Sequence, residues 1–224
     1  MKIPASILAL TLVALALFWW FGPEPDPALR QPRTDLPWQV EALPNGSSRV
    51  FDLELGSATL ADAVAKFGPY EDMAVFQPAD GPPVLEVYFG TVSFGPLSAK
   101  VVTALAATPA ELQALIAQAS AREGSPTGDW KYRLAPGDQQ VQRNRLLRVI
   151  TYIPAARDLD ADFFRARLGE PAAWKVGEEQ VVQWFYPERG LSVVINASGR
   201  EVLEYTAPRD FRLPEGVEHG AGTP

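Results

Sequence analysis

The chain has 224 residues and a net charge of −7, from 20 basic and 27 acidic side chains. Its apolar fraction of 47% and charged fraction of 21% exclude a wholly disordered chain, a collagen-like repeat and a polytopic membrane protein. The absence of cysteine excludes disulfides, thiolate metal sites, cysteine nucleophiles and a lipidated N-terminal cysteine, and His219 is the one histidine.

The first element is an uncharged run, Ile3–Gly22, with the sequence IPASILALTLVALALFWWFG. A helix of this length spans ~30 Å, the thickness of the hydrocarbon core of a bilayer. Trp19 and Trp20 lie where indole rings favour the membrane–water interface. The alternative is a cleaved secretory signal with a site at Ala14-Leu15-Ala16, but cleavage there would leave LFWWFG as an exposed apolar end. We therefore predict a transmembrane anchor over residues 1–22, with the membrane as partner through Ile3–Gly22.

The charges beside this anchor set its predicted orientation. Lys2 and the terminal amine favour a cytoplasmic N-terminus, whereas Arg30 and Arg33 favour the opposite more weakly. We predict a single-pass protein of the inner (cytoplasmic) membrane with most of its chain in the periplasm. Residues 23–37 contain five prolines and predict a stiff, extended linker.

Residues 38–124 predict a first α+β module. Strands over Trp38–Leu43 and Arg49–Leu55 flank Asn45-Gly46, which favours a tight hairpin turn. Thr59 and Asp62 predict the N-terminus of a helix, and Gly68-Pro69 predicts its end. The apolar face of this helix is formed by Leu60, Ala63, Val64 and Phe67.

Three strands and a second helix complete the first module. The strands are predicted over Met73–Gln77, over Val84–Gly90 and within Leu97–Leu105. Thr108-Pro109-Ala110-Glu111 is a capping box with proline at the first helical position, and Gly124 is the predicted end of this helix. Its buried stripe is Leu112, Leu115, Ile116 and Ala119.

Residues 125–212 predict a second module. Asp160 caps a helix that carries Phe163, Phe164, Ala166 and Leu168 and that ends at Gly169. Before it come a loop over Ser125–Gly128, a strand over Asp129–Leu134, a short helix over Asp138–Asn144 and a strand over Leu146–Ile153. After it come strands over Gln180–Tyr186, Leu191–Asn196 and Glu201–Thr206. The polar tail, residues 213–224, is predicted to be disordered.

The two modules repeat a pattern of elements. A shift of 101 residues places Thr59 on Asp160, Phe67 on Leu168 and Gly68 on Gly169. The predicted fold class is therefore α+β: an N-terminal transmembrane helix, then two similar modules, each with short helices packed on an antiparallel β-sheet.

The residues Arg167-Leu168-Gly169-Glu170-Pro171, Trp184-Phe185-Tyr186-Pro187 and Gly190-Leu191 form a helix end followed by an aromatic β-meander. This pattern resembles the SmpA/OmlA type of envelope lipoprotein, and its tandem arrangement is similar to that of the β-lactamase inhibitor proteins. The resemblance covers Asp158–Tyr205 well and Gly56–Leu105 loosely. Those lipoproteins carry a lipidated cysteine, which this chain lacks. The resemblance implies an envelope location and protein–protein contact, and no catalytic residues.

An acidic cluster in the second module has both a functional and a structural explanation. Asp158-Leu159-Asp160-Ala161-Asp162 imitates the start of a calcium loop, but Phe163 and Gly169 occupy the positions where that loop needs Gly and Glu. Acids at a helix N-terminus explain it better. We predict no metal and no cofactor. We also predict no nucleic-acid partner, because Arg143-Asn144-Arg145 with Arg148 is a small basic patch on an acidic chain.

Catalytic chemistry would have to depend on carboxylates. Candidate pairs are Glu178 with Glu179 and Glu204 with Asp52; single candidates also include Glu54, Glu86 and Glu201. The serines lack a G-x-S-x-G context, and a Ser–His pair could use only His219. These serines are Ser57, Ser93, Ser98, Ser192 and Ser198.

Aromatic side chains on the strands could form a binding surface. Phe185 must face away from Trp184 and Tyr186 on a regular strand, so one of these two sets is a candidate for an exposed patch. The other aromatics of this group are Phe76, Tyr88, Phe89 and Trp174. Our first hypothesis is a membrane-anchored, periplasm-facing, non-enzymatic binding or scaffold protein with an envelope-protein partner. The alternatives are a carboxylate-dependent envelope hydrolase acting on glycan or peptide and a small-ligand or lipid carrier.

Overall fold

The computed structural model describes residues 33–157, 159–178, 181–196 and 200–219. The predicted anchor over Ile3–Gly22 and most of the predicted linker lie outside these residues. Among the residues that are described, none of the helices has the length and apolar character needed to cross a bilayer. The chain from Thr34 onward forms one compact unit.

The described chain alternates short helices with strands. The helices are α1 (Leu60–Phe67), α2 (Pro109–Ala117), α3 (Pro136–Val141) and α4 (Ala161–Leu168). The strands of the first half are β1 (Glu41–Ala42), β2 (Ser48–Val50), β3 (Leu53–Glu54), β4 (Asp72–Gln77), β5 (Val84–Phe94), β6 (Leu97–Leu105), β7 (Ala121–Gly124) and β8 (Trp130–Arg133). The strands of the second half are β9 (Leu147–Pro154), β10 (Ala173–Val176), β11 (Val182–Tyr186), β12 (Leu191–Ile195), β13 (Val202–Thr206) and β14 (Glu218–His219).

Eleven of these strands form one sheet, and every pair in it is antiparallel. The order is β14-β10-β11-β12-β13-β9-β6-β5-β4-β8-β7. Strand β9 is therefore the central strand, with five strands on either side. Ile150 of β9 pairs with Thr103 of β6 on one side and with Tyr205 of β13 on the other. The α+β class predicted from the sequence is confirmed.

A helix followed by a meander occurs on both sides of β9. Helix α1 precedes β4, β5 and β6, and helix α4 precedes β10, β11, β12 and β13. The two meanders belong to one continuous sheet, and β8, which follows the predicted boundary at residues 124 and 125, pairs with β4 of the first half. The duplication into two similar modules stays a prediction.

The local signals for helix ends are confirmed at α1 and α4. Thr59 Oγ1 accepts a hydrogen bond from the backbone N–H of Asp62, and the Asp62 carboxylate accepts one from the backbone N–H of Thr59. Asp160 caps α4 through the N–H of Phe163 at 2.8 Å. Gly68 and Gly169 end the helices with φ of 91° and 79°, a region that disfavours residues with a Cβ.

The N-terminal hairpin forms a small three-stranded sheet, β1-β2-β3, with the predicted turn at Asn45-Gly46. The single strand predicted over Arg49–Leu55 is wrong, because the chain turns back at Phe51 and Asp52. Both residues have positive φ, 54° and 62°, which is uncommon for residues other than glycine. Burial explains this conformation: Phe51 is fully buried against the rings of Phe67, Phe94, Tyr152 and Tyr205, with centroids 4.9–5.9 Å away.

The predicted course of α2 is wrong at its C-terminal end. The helix ends at Ala117, and the residues expected to continue it to Gly124 form β7 instead. Pairing with β8 at the edge of the sheet gives the backbone of this segment its hydrogen-bond partners, and just before β7 the Ser120 N–H donates to the Arg133 carbonyl. Of the predicted stripe, only Leu112 is buried.

Two strands of the second half were not predicted. Strand β10 pairs with β11, and β14 pairs with β10 through His219 and Glu218. The prediction of a disordered tail over residues 213–224 is therefore wrong for Glu218–His219. A two-residue strand has no periodicity of its own, so only its partner in the sheet defines it.

We expect Phe51→Ala to destabilise the protein by about 3–5 kcal/mol, because it removes a buried ring at the junction of four others. The measurement is urea-induced unfolding followed by circular dichroism. The control is Phe211→Ala, which removes a half-buried ring from the edge of the fold and should cost about 1 kcal/mol. Equal losses in the two variants would contradict the central role given to Phe51.

Candidate functional site

The large sheet has two different faces. The inner face carries Leu85, Val87, Trp184 and Tyr205, which join the core together with residues of the helices and of the small sheet. The side chains that alternate with these point to the opposite face, which we call the outer face. Among the described residues, those that line the depressions on the outer face belong to strands and to the segment over residues 210–214. Part of a large β-sheet is thus open to binding.

The first depression lies over β4, β5 and β6 and has a volume of about 250 Å³. Phe76, Tyr88 and Val102 give it a half-buried apolar floor. Its other lining residues are Asp72, Ala74, Glu86 and Lys131. Apolar surface with a few charged groups at its border is the usual composition of a protein-binding patch.

The charged groups of this depression differ in their ionisation. Burial raises the pKa of the Glu86 carboxyl, and the positive charge of Lys131 opposes this effect only in part. Burial also acts to raise the pKa of Asp72, but the hydrogen bond and charge of Lys131 and the charge of Arg133 outweigh it, so this pKa is lowered. Asp72 is thus a paired carboxylate, whereas Glu86 has no ion-pair partner among the described side chains.

The second depression, of about 380 Å³, lies on the same face over β9, β11, β12 and β13. The C-terminal segment covers part of this area, because Phe211 packs its ring against Phe185 with centroids 6.4 Å apart. Glu204 lies among these residues, and burial raises the pKa of its carboxyl.

The aromatic residues of β11 face opposite sides, as predicted. Trp184 and Tyr186 belong to the core on the inner face, whereas Phe185 lines the second outer depression. The exposed patch predicted for one of these sets is wrong, because the exposed fractions are 0% for Trp184, 2% for Phe185 and 6% for Tyr186. Phe89 and Trp174 are also buried. Of the predicted aromatics, Phe76 and Tyr88 lie on the outer face. The only sequence signal for their position is the alternation of side chains between the two faces of a strand.

The structure does not bring the predicted carboxylate pair together. Asp52 lies in the small sheet on the inner side, where it forms an ion pair with Lys66, while Glu204 is on the outer face. The main sheet therefore separates the two. Glu179, the partner considered for Glu178, lies outside the described residues.

The two outer carboxyls with raised pKa, Glu86 and Glu204, are also far apart. They lie on β5 and β13, with β6 and β9 between them. Three strand spacings and an offset of two residues in register place the backbones about 16 Å apart. Glycosidase carboxyl groups lie ~5–9.5 Å apart. This pair therefore does not have the spacing of a glycosidase site.

Other predicted sites have structural roles. Asp160 caps α4, and Asp162 forms an ion pair with Arg165, while Asp158 lies outside the described residues. In the predicted basic patch, Arg145 donates to the carboxylate of Glu111 at 2.8 Å, and this hydrogen bond lowers the pKa of Glu111 to about 2. The described residues contain no group of three side chains that could hold a metal ion.

The comparisons with known proteins find no relative. No protein-family model matches the chain, and neither does any curated protein or solved structure. The resemblance to SmpA/OmlA-type modules therefore stays an expectation from the sequence, and the function has to be argued from the surface itself.

The double variant Glu86→Gln, Glu204→Gln should be more stable than the wild type near neutral pH. A carboxyl whose pKa is raised in the folded state lowers the free energy of unfolding of the protein as the pH rises from the unfolded-state pKa through the folded-state pKa. The gain should therefore disappear below the ordinary glutamate pKa of 4.5. The measurement is urea unfolding of both proteins at about pH 4 and about pH 7.

Loss of charge alone could also change the free energy of unfolding, so a control is needed. Glu188→Gln removes a carboxylate at an exposed position on the turn between β11 and β12. The stabilisation near neutral pH should be absent from this control. A stability gain of equal size at both pH values in the double variant would contradict burial as its cause.

Proposed function

We propose that the protein is a membrane-anchored, periplasm-facing, non-enzymatic binding or scaffold protein of the bacterial cell envelope, and that its partner is another envelope protein bound at the outer face. The observation that carries the proposal is the open depression over β4, β5 and β6. Phe76 and Tyr88 lie there half-buried, and the described residues that line the depression all belong to strands of the sheet. Rigid aromatic side chains lose little conformational freedom on binding and are enriched among residues that dominate binding energy.

The charges around this floor fit a protein partner better than a nucleic acid. Asp72 is paired with Lys131 and Arg133, and Glu86 is acidic, so the depression has no unbalanced positive charge. Phosphate contacts would need clustered, unpaired basic groups. A partner surface that is apolar at its centre and carries hydrogen-bond donors opposite Glu86 would be complementary.

The carboxylate hydrolase is supported less well than the binding protein. Glu86 has the raised pKa that suits a general acid, but the backbone of Glu204, its counterpart with a raised pKa, is about 16 Å away across the sheet. An amide change at Glu86 or Glu204 that abolished function without changing the unfolding midpoint would favour the hydrolase instead.

Cells that carry a photoreactive amino acid in place of Tyr88 should give a specific adduct with an envelope protein, because this position lies in the centre of the proposed surface. Placed at Gln113, on the exposed side of α2, the same group should not give this adduct. Adding Val102→Arg to the Tyr88 probe should remove the adduct, since a charge then occupies the apolar floor.

This result is informative only if Val102→Arg still folds. We expect its unfolding midpoint to match that of the wild type, because side chains on an open face tolerate substitution. The same adduct at both probe positions, or an adduct that persists with Val102→Arg, would refute binding at the outer face.

The proposed anchor has a separate test. The uncharged run Ile3–Gly22 should be retained in the mature protein and should keep it in the membrane fraction until detergent is added. N-terminal sequencing of the purified protein and fractionation of cells measure this. A mature protein that begins after Ala16, or one released by salt alone, would contradict the anchor and leave the outer-face proposal unaffected.

A further inference from the structure

An apolar pocket of about 530 Å³ lies on the inner side of the sheet, away from the outer face. Trp38, Phe163 and Phe164 contribute aromatic walls, and Leu97, Pro154 and Leu203 contribute aliphatic ones. Its volume is within the range of ~300–1,000 Å³ that small-molecule sites have. Among its described lining residues Arg167 is the only charged side chain.

A second, polar pocket of about 570 Å³ adjoins the apolar one, and the two share Trp38 and Arg167 as lining residues. Arg49 and Arg189 line the polar pocket together with the acids Glu41 and Asp52. Arginine at the border of an apolar cavity gives the combined space one apolar end and one charged end.

The acids of the polar pocket already have partners. Glu41 pairs with Arg49 at 3.1 Å, and Asp52 pairs with Lys66 at 2.6 Å. Arg167 and Arg189 instead donate to backbone carbonyls, those of Phe163 at 3.1 Å and Leu168 at 2.9 Å. Neither guanidinium forms an ion pair with a described carboxylate. Two positive charges in the described part of the chain thus lack an ion-pair partner, although the chain is acidic overall.

Stacking fixes the position of Arg167 between the two pockets. Its guanidinium carbon lies 3.6 Å from the ring centroid of Phe163 and 4.9 Å from that of Trp38. A stacked guanidinium keeps donors free at its edge and is well suited to bind a carboxylate or phosphate oxygen.

We propose that the two pockets form one binding site for a single-chain anionic amphiphile, with its hydrocarbon chain in the apolar pocket and its anionic group at Arg167 and Arg189. A small anion alone would leave the apolar pocket unfilled, and a neutral apolar ligand would leave both guanidinium groups without an anionic partner. The site is on the opposite side of the sheet from the proposed protein-binding surface, so it does not rest on that function. A fatty-acid carboxylate and a lysophospholipid phosphate both have the required chemistry.

The test uses the full chain in phosphatidylcholine nanodiscs with a photoreactive fatty acid, whose diazirine is at the end of the chain. After illumination, peptide mass spectrometry should locate adducts on residues of the apolar pocket, Leu97 and Phe163 included. Unlabelled laurate and lauroyl lysophosphatidylglycerol serve as competitors, and dodecanol serves as the neutral analogue. Competition by either anion supports the site, and their relative strength distinguishes a fatty acid from a lysophospholipid.

Two variants and their matched controls separate the chain-binding and head-binding ends. Ala156→Trp places a large ring at the exposed border of the apolar pocket, so photolabelling of the pocket residues should fall about tenfold or more. The control Ala114→Trp, on the exposed side of α2, should leave this labelling unchanged. Arg167→Gln should weaken competition by laurate about fivefold, because a charge-assisted hydrogen bond is lost, whereas the exposed Arg143→Gln should not.

Four results would overturn the proposal. These are adducts spread over the protein surface, equal competition by dodecanol and laurate, an unchanged laurate competition in Arg167→Gln, and crosslinks showing that residues 1–32 of the chain itself fill the pocket. Failure to obtain the Tyr88 adduct in the outer-face experiment would contradict the proposed function but would not change the outcome of any of these four measurements.

Discussion

The packing of the Phe51 ring is the contact that holds the small sheet against the large one. Its four aromatic neighbours come from α1, β5, β9 and β13, so one side chain of the small sheet touches both halves of the large one. The positive φ at Phe51 costs conformational energy, and the burial of a complete aromatic ring offsets it. The same turn places Asp52 beside Lys66, which also pairs with Asp35.

This junction also fixes the segment that leads into the folded part of the chain. Tyr205, a neighbour of Phe51, donates its buried hydroxyl to the Pro37 carbonyl at 2.8 Å. Trp38 follows directly, and its ring is the shared wall of the apolar and polar pockets. The wall that Trp38 contributes to those pockets is therefore tied to the core, whereas Ala155 and Ala156 line the exposed border of the apolar pocket.

Local chemistry made part of this fold predictable. The capping residues Thr59 and Thr108 and the Asn45-Gly46 turn act within a few residues, so their sequence signals are complete in themselves. Strands β7 and β14 have no such signal, because an edge strand is defined by a distant partner. The interruption at Phe51 depends on rings that are distant in sequence. The pockets could not be predicted from the sequence either, since Trp38, Leu97 and Phe163 become neighbours only in the folded chain.

The two edge strands of the large sheet differ from the long strands at its centre. Strand β14 has two residues, and the four residues of β7 are all exposed, with Arg122 and Glu123 in the middle. Short or charged edges resist the addition of a further strand. A sheet of eleven strands would otherwise be a template for growth in the direction of its hydrogen bonds. With both ends closed to this, a crowded population of these molecules is protected from joining into fibrous assemblies, even though one broad face of the sheet stays open.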